Sequence, residues 1–438
     1  MALLAASLAW SPLVRGQVVE IRPAVELRFS TQSGSLHQVE SSTDLLTWRP
    51  FQLPVRGEGG VTHILAAAAT GQSFFRVSTH AVRDVSSVLE TIRARTGVPA
   101  VGCAVILSNR IAGWGVAGLR KAGITSAPVT LDDRWHHGSL TKSMTASLAA
   151  ILVQQGSIQW DTTLSSAFPD WAPRMHEQWR GVTLEQLTSN RAGAPGDLGA
   201  SGIWSQLWAF GGTPRDARRF LLEKLTVLPP SAPPGTRYEY SNAGFALAGA
   251  MMEQVLGTPW EDLLQERLFA PLGMTSAGFG VPATPRHIDQ PWGHQWANGR
   301  ASPVEPGTSA DNPPAIGPAG TVHASIVDLA RYAAWHVEGH RRGTTLLPPA
   351  AFQKLHAALP DNANYAHGWL EVDRPWAQPG KAYTHTGSNL QWFSVIWFAP
   401  AREFAVVAVC NAAASTGTNP AAQATDQIAG RMIQDFLN

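Results

Sequence analysis

The strand-forming stretches of this 438-residue chain sit at two places far apart in the sequence, and that separation limits the folds open to it. Early come VGCAVILSN, from Val101 to Asn109, and IAGWGVAG, from Ile111 to Gly118. Late come KAYTHTG, QWFSVIWFA and EFAVVAVC, all between Lys381 and Cys410. Short apolar runs of this kind, bounded by turn residues, read as buried strands. Helical spacing marks VSSVLETIRART just before the first run and AAQATDQIAGRMIQDFL after the last. The pattern predicts an α/β (α+β) sandwich: one antiparallel five-stranded sheet closed by both ends of the chain and flanked by helices, plus a mostly helical lobe from the middle of the sequence.

A chain of this length exceeds what one compact core usually absorbs. Residues 17–80 supply the second piece. They hold the strand-like runs VVEIRPAVELRFST, LHQVESST, THILAAA and SFFRVST with no helical spacing, and resemble a small β module attached to exported bacterial enzymes. The reading is a spacer or adhesion module without chemistry, followed by a main domain over residues 81–438. Residues 1–16 resemble a signal peptide, with an apolar stretch from Ala2 to Trp10 and small residues Val14 and Gly16 before the cleavage point. That predicts a periplasmic or secreted protein. No later window is apolar enough for a membrane span.

Composition removes other classes. The formal net charge is +1, and no basic run interleaved with aromatics is present, so nothing points to nucleic acid. Cys103 and Cys410 lie in strand-like runs away from any His-Cys cluster, which predicts two buried thiols, with a disulfide between them as the alternative, rather than a metal site. Lysine is scarce: Lys121, Lys142, Lys224, Lys354 and Lys381 are the full set. One of them stands in a chemically suggestive place.

In HHGSLTKSMTASLAAILVQQG, Lys142 follows Ser139 by three positions at the head of an apolar helix. Positions i and i+3 share a helix face, so the amine can reach the hydroxyl. A serine in the first helical turn also sits in the field of the helix N-terminus, which favours its alkoxide. A lysine can take the serine's proton if it is desolvated enough to be neutral. The second piece is Tyr240-Ser241-Asn242 before the helix GFALAGAMMEQVL, where a tyrosine of lowered pKa could relay protons and an amide could hold a substrate carbonyl. The third is His385-Thr386-Gly387-Ser388 at the end of a strand, where glycine lets a substrate approach the backbone. Each piece alone has an ordinary structural reading as a cap, a turn or a strand end.

In this order they resemble the Ser-x-x-Lys, Tyr-x-Asn and Lys-Thr-Gly set of the penicillin-recognising serine hydrolases. The Tyr-x-Asn form is similar to class C β-lactamases, DD-peptidases, D-aminopeptidases and family VIII carboxylesterases. VTLEQLTSNRAGAPG, RLFAPLGMTSAGF and GPAGTVHASIVDLARYA extend the resemblance over nearly all of residues 84–438. It implies Ser139 as nucleophile, Lys142 and Tyr240 sharing the base and acid roles, and Asn242, His385, Thr386, Gly387 and Ser388 binding substrate. The main-chain amides of Ser139 and Ser388 would form the oxyanion hole. No cofactor and no metal are implied.

His385 departs from the family's lysine. A histidine is mostly neutral at pH 7, and charges below a pKa of ~6.5 if unperturbed. That favours a carboxylic ester or small amide over a β-lactam or D-amino-acid peptide bearing a carboxylate. A catalytically silent, cell-wall-binding relative is the reading from another class. Gly-x-Ser-x-Gly, dinucleotide and phosphate-loop patterns are missing from the sequence. His336 and His340 in HVEGH share a helix face, but the glutamate is misplaced for a zinc protease.

Overall fold

The computed structural model describes residues 24–437 apart from 33–34, 47–48, 51–54, 58, 68–72 and 360–363. The export signal read in residues 1–16 therefore lies outside the described residues. Two compact units divide the chain, Met1–Ala81 and Val82–Asn438. The first is all β. Ala24–Ser30 pairs antiparallel with Val61–Ala67, and Ser35–Ser42 with Phe74–Ala81. Val39 and Ile64 are buried in it.

The second unit is a mixed α/β structure on a seven-stranded sheet. In spatial order the strands are Leu370–Val372, Ala382–Ser388, Phe393–Ala399, Phe404–Cys410, Ala100–Leu107, Arg110–Gly118 and Arg83–Asp84. The five central strands are those legible in the sequence, and they are antiparallel throughout. The expected count of five is corrected by an added strand at each edge. Leu370–Val372 and Arg83–Asp84 are 3 and 2 residues long, too short to leave a period in the sequence. The latter runs parallel to Arg110–Gly118.

The joint between the chain's two ends is the pairing of Phe404–Cys410 with Ala100–Leu107, from Phe404 opposite Leu107 to Cys410 opposite Val101. Both strands are covered on both faces, which is why they read as continuous apolar runs instead of alternating ones. Cys103, Val105, Val406 and Ala408 pack with Leu89 and Ile92 of the helix Ser86–Thr96 and with Ile428 and Met432 of the helix Pro420–Leu437. The opposite face meets the helix Ile326–Arg342: a Cβ added to Gly102 would lie 3.0 Å from Ile326 Cγ2. Cys103 stands opposite Ala408 and Cys410 opposite Val101, so the cysteines share a face in diagonal register. Both are buried free thiols, and burial pushes their pKa values up, that of Cys410 to about 12.

Beside the sheet, the middle of the chain forms the helical part around Thr141–Gln154, in which every residue from Thr141 to Leu152 is buried. A helix apolar all round belongs inside a protein. It packs against Asn242–Leu256, among others. There Arg218, fully buried, donates to Glu253 (Nε to Oε2, 3.0 Å) and to Glu261 (Nη2 to Oε2, 2.7 Å).

Candidate active site

Three chain segments with no local connection meet at the head of the buried helix. A short 3-10 turn, Gly138–Leu140, carries Ser139 and leads straight into Thr141–Gln154. Gly138 adopts φ 50°, in the left-handed region, and a Cβ there would fall 2.4 Å from the amide nitrogen of Ser388. Reciprocally, a Cβ at Gly387 would fall 1.9 Å from the His137 carbonyl oxygen and 2.9 Å from the Ser139 nitrogen. Backbone thus lies directly on backbone, which glycine alone permits. The end of the strand Ala382–Ser388 is locked to the serine turn, and the amides of Ser139 and Ser388 lie on the two sides of that contact. Ser394, on the next strand, fixes the same turn by donating to the His137 carbonyl at 3.0 Å.

The third segment precedes Asn242–Leu256. Ser241 caps that helix, accepting from Gly244 N at 3.1 Å, while its own N–H donates to Asn190 Oδ1 at 3.0 Å. This pins Tyr240 and Asn242 on either side of the cap. Asn190 and Arg191, within VTLEQLTSNRAGAPG, are both buried. Arg191 Nη1 donates to the carbonyls of Ser189 and Tyr365, at 2.7 and 3.2 Å.

Lys142 is fully buried, and its Nζ lies 3.1 Å from Ser139 Oγ, 2.6 Å from Asn242 Oδ1 and 2.9 Å from the Ala319 carbonyl. Burial holds its pKa well below the usual lysine value. A neutral amine has two N–H groups and one lone pair. Asn242 Oδ1 and the Ala319 oxygen can only accept, so they take both hydrogens. In that neutral form the lone pair faces the Ser139 hydroxyl.

Tyr240 stacks its ring 4.6 Å from Lys142 Nζ and hydrogen-bonds Ser139. The expectation of a lowered tyrosine pKa is corrected here. Although 37% of Tyr240 is exposed, the packing around its hydroxyl pushes its pKa up, and the Ser139 contact only partly offsets this. Burial disfavours the charged form of the lysine beside it, which weakens the charge stabilisation a phenolate would need.

His385 is also corrected. It is 4% exposed, and burial, with the Lys142 position adding to it, lowers its pKa to about 3. Its Nδ1 donates to the Thr386 carbonyl at 2.6 Å, and Nε2 accepts from the Tyr365 hydroxyl at 3.3 Å. The acid-side charge expected from an ordinary histidine is absent at any pH near neutral.

These groups adjoin a cleft of about 310 Å³ lined by Ser139, Tyr238, Tyr240, Tyr365, Leu370 and Phe393 together with His385, Thr386, Gly387 and Ser388. Among the described residues, no lysine, arginine or carboxylate belongs to this lining. Tyr365, Tyr238, Leu370 and Phe393 were not singled out in the sequence. YAHGW around Tyr365 has aromatics and a glycine but no period, and pocket walls built from separate loops leave no local signal.

The beta-lactamase family model matches residues 85–430. The chain belongs to the beta-lactamase family. Among its relatives in the family is Penicillin-binding protein 4 of Amycolatopsis lactamdurans, 26% identical over 75% of this chain and 84% of that protein. An unguisins hydrolase of Aspergillus campestris is 27% identical over 63% of this chain, which spans 50% of that longer protein. The structure of D-amino acid amidase from Ochrobactrum anthropi superposes with a TM-score of 0.62 at 20% identity, covering 80% of this chain and 98% of that one. Family members are serine hydrolases, and this fold is theirs. Among the described residues of this family member, no helix is long and apolar enough to cross a membrane, and no cluster of His, Cys, Asp or Glu could hold a metal ion.

Proposed function

We propose that the chain is a serine hydrolase that acylates Ser139 and turns over a neutral carboxylic ester or small amide. The observation that carries this reading is the enclosure of Lys142 Nζ by two acceptors, which aims its lone pair at Ser139 Oγ. In the first step Ser139 Oγ bonds to the substrate carbonyl carbon while its proton passes to Lys142 Nζ. The carbonyl π electrons move onto oxygen, and the amides of Ser139 and Ser388 hold the resulting oxyanion. Collapse expels the alcohol or amine, which takes a proton relayed from Lys142 through the Tyr240 hydroxyl. Water then attacks the acyl-enzyme along the same path, releasing the acid and restoring Ser139. Asn242 holds Lys142 in place, and Thr386 lines the entrance.

The uncharged lining supports the choice of substrate. With His385 neutral, no fixed cation among the described residues lines the cleft, so a carboxylate entering it would lose hydration without an ionic partner. The amidase and hydrolase names among the relatives are compatible with an amide as well as an ester. A silent, binding-only relative has no need for a buried neutral lysine, and that reading is set aside. Export to the periplasm or outside remains part of the proposal, resting on residues 1–16.

The test is parallel assay of nitrophenyl esters, D-alanyl amide and nitrocefin, with fluorophosphonate labelling read by peptide mass. Label on the Ser139 peptide with esters or the amide as the better substrates supports the reading. Label on another residue, or nitrocefin preferred over both, overturns it.

A further inference from the structure

Behind the serine turn, on the side away from the cleft, a line of buried polar side chains runs out through the domain. Leu140 O accepts from Ser143 Oγ at 2.8 Å, and Ser143 Oγ accepts from Tyr332 OH at 3.0 Å. Tyr332 OH lies 3.1 Å from Ser147 Oγ, which lies 3.4 Å from His336 Nε2. His336 Nδ1 is 2.8 Å from His356 Nε2, and His356 Nδ1 is 2.8 Å from His340 Nδ1. All of these side chains are buried except His340, which is partly open to solvent.

The proton positions follow from one end. A carbonyl can only accept, so the Ser143 hydrogen points to Leu140, and Ser143 must accept from Tyr332. Tyr332 then accepts from Ser147, and Ser147 from the Nε2–H of His336. Burial keeps His336 and His356 neutral, so each has one N–H. His336 Nδ1 therefore accepts from His356 Nε2–H, and His356 Nδ1 accepts from His340 Nδ1–H. Every donor in the line points toward the serine turn. Aligned hydrogen bonds polarise one another and present their positive end where they stop.

We propose that this line of six hydrogen bonds, from His340 to the Leu140 carbonyl, is a positioning element that holds the serine turn and aims a fixed positive potential at it. That potential favours the alkoxide and oxyanion at Ser139 and opposes a proton on Lys142. None of the side chains in the line touches substrate; they act through the turn. The groups that face His340 are His356, Tyr383 and Glu371. Those that face Lys142 are Tyr240 and His385.

The inference rests on the serine-hydrolase reading, and two measurements keep their failures apart. Tyr332→Phe cuts the line between Ser147 and Ser143. Loss of one such bond at the transition state corresponds to a drop in kcat of about three- to tenfold. KM should hold, and the acid limb of the kcat/KM profile should move up by several tenths of a pH unit as Lys142 becomes easier to protonate. His340→Ala, at the open end, should move the limb less in the same direction. An active wild type with both variant profiles superimposed on its own overturns the inference. The second measurement needs no activity: ¹⁵N imidazole spectra should show Nε2–H on His336 and His356 and Nδ1–H on His340. An Nδ1–H on His356 overturns the inference whatever the substrate.

Discussion

Replacing Lys142 by Met tests the protonation state on which the chemistry depends. In the unfolded chain a lysine holds its proton up to a pKa of ~10.4. In the folded enzyme burial pushes the Lys142 pKa well below that value. Between the folded and unfolded pKa values the unfolded state binds one more proton, so stability rises with pH. The contribution is fully present above the unfolded pKa and is lost progressively as pH falls toward the folded one. One proton corresponds to about 1.4 kcal/mol per pH unit, hence at most about 2.7 kcal/mol between pH 7 and pH 9. Methionine binds no proton in either state. The variant also leaves Asn242 Oδ1 and the Ala319 carbonyl without their donor, at about 1–3 kcal/mol each, but that penalty does not depend on pH. The slope of the stability difference is therefore the readout, and its intercept is not. Urea denaturation of both proteins, followed by tryptophan fluorescence across pH 7–9, gives the difference with every other titrating group cancelled. Wild type should gain on Lys142→Met as pH rises over that range, by up to about 2.7 kcal/mol. A difference flat with pH would mean a charged Lys142 in the folded state, and the lone pair facing Ser139 would not exist.

Three further outcomes follow from the same geometry. With His385 neutral down to about pH 3, the ratio of activities on carboxylate-bearing and neutral substrates should stay level from pH 8 to pH 5 in wild type, whereas His385→Lys should raise the cephalosporin-to-ester ratio roughly tenfold or more through a charge-assisted contact; a wild-type ratio that climbs toward pH 6 would return the charge to His385. Gly387→Ala places a methyl 1.9 Å from the His137 carbonyl oxygen, so fluorophosphonate labelling of Ser139 should slow by at least an order of magnitude even in protein with wild-type circular dichroism; unchanged labelling would show that the serine turn tolerates displacement. Arg218→Met strands the buried Glu253 carboxylate, and denaturation should show a loss of about 3–5 kcal/mol, with a loss under 1 kcal/mol refuting the pairing as a structural requirement.

The sequence by itself determined the five central strands, their closure by both chain ends, and the order of Ser139, Lys142, Tyr240 and Asn242. Those features are local or nearly so: apolar runs, helix starts, and an i, i+3 spacing that one helical turn converts into a 3.1 Å contact. The two edge strands escaped it because two or three residues carry no period. What tertiary structure decided was charge. Lys142 and His385 are ordinary bases in isolation, and their ordinary pKa values are what a sequence offers. Folding buried both, paired the amine with the Ala319 carbonyl from a distant segment, and set Tyr365 against His385. A pKa depends on desolvation and on partners remote in the chain. For the same reason HVEGH read as an idle pair of histidines until the fold brought His356 between them.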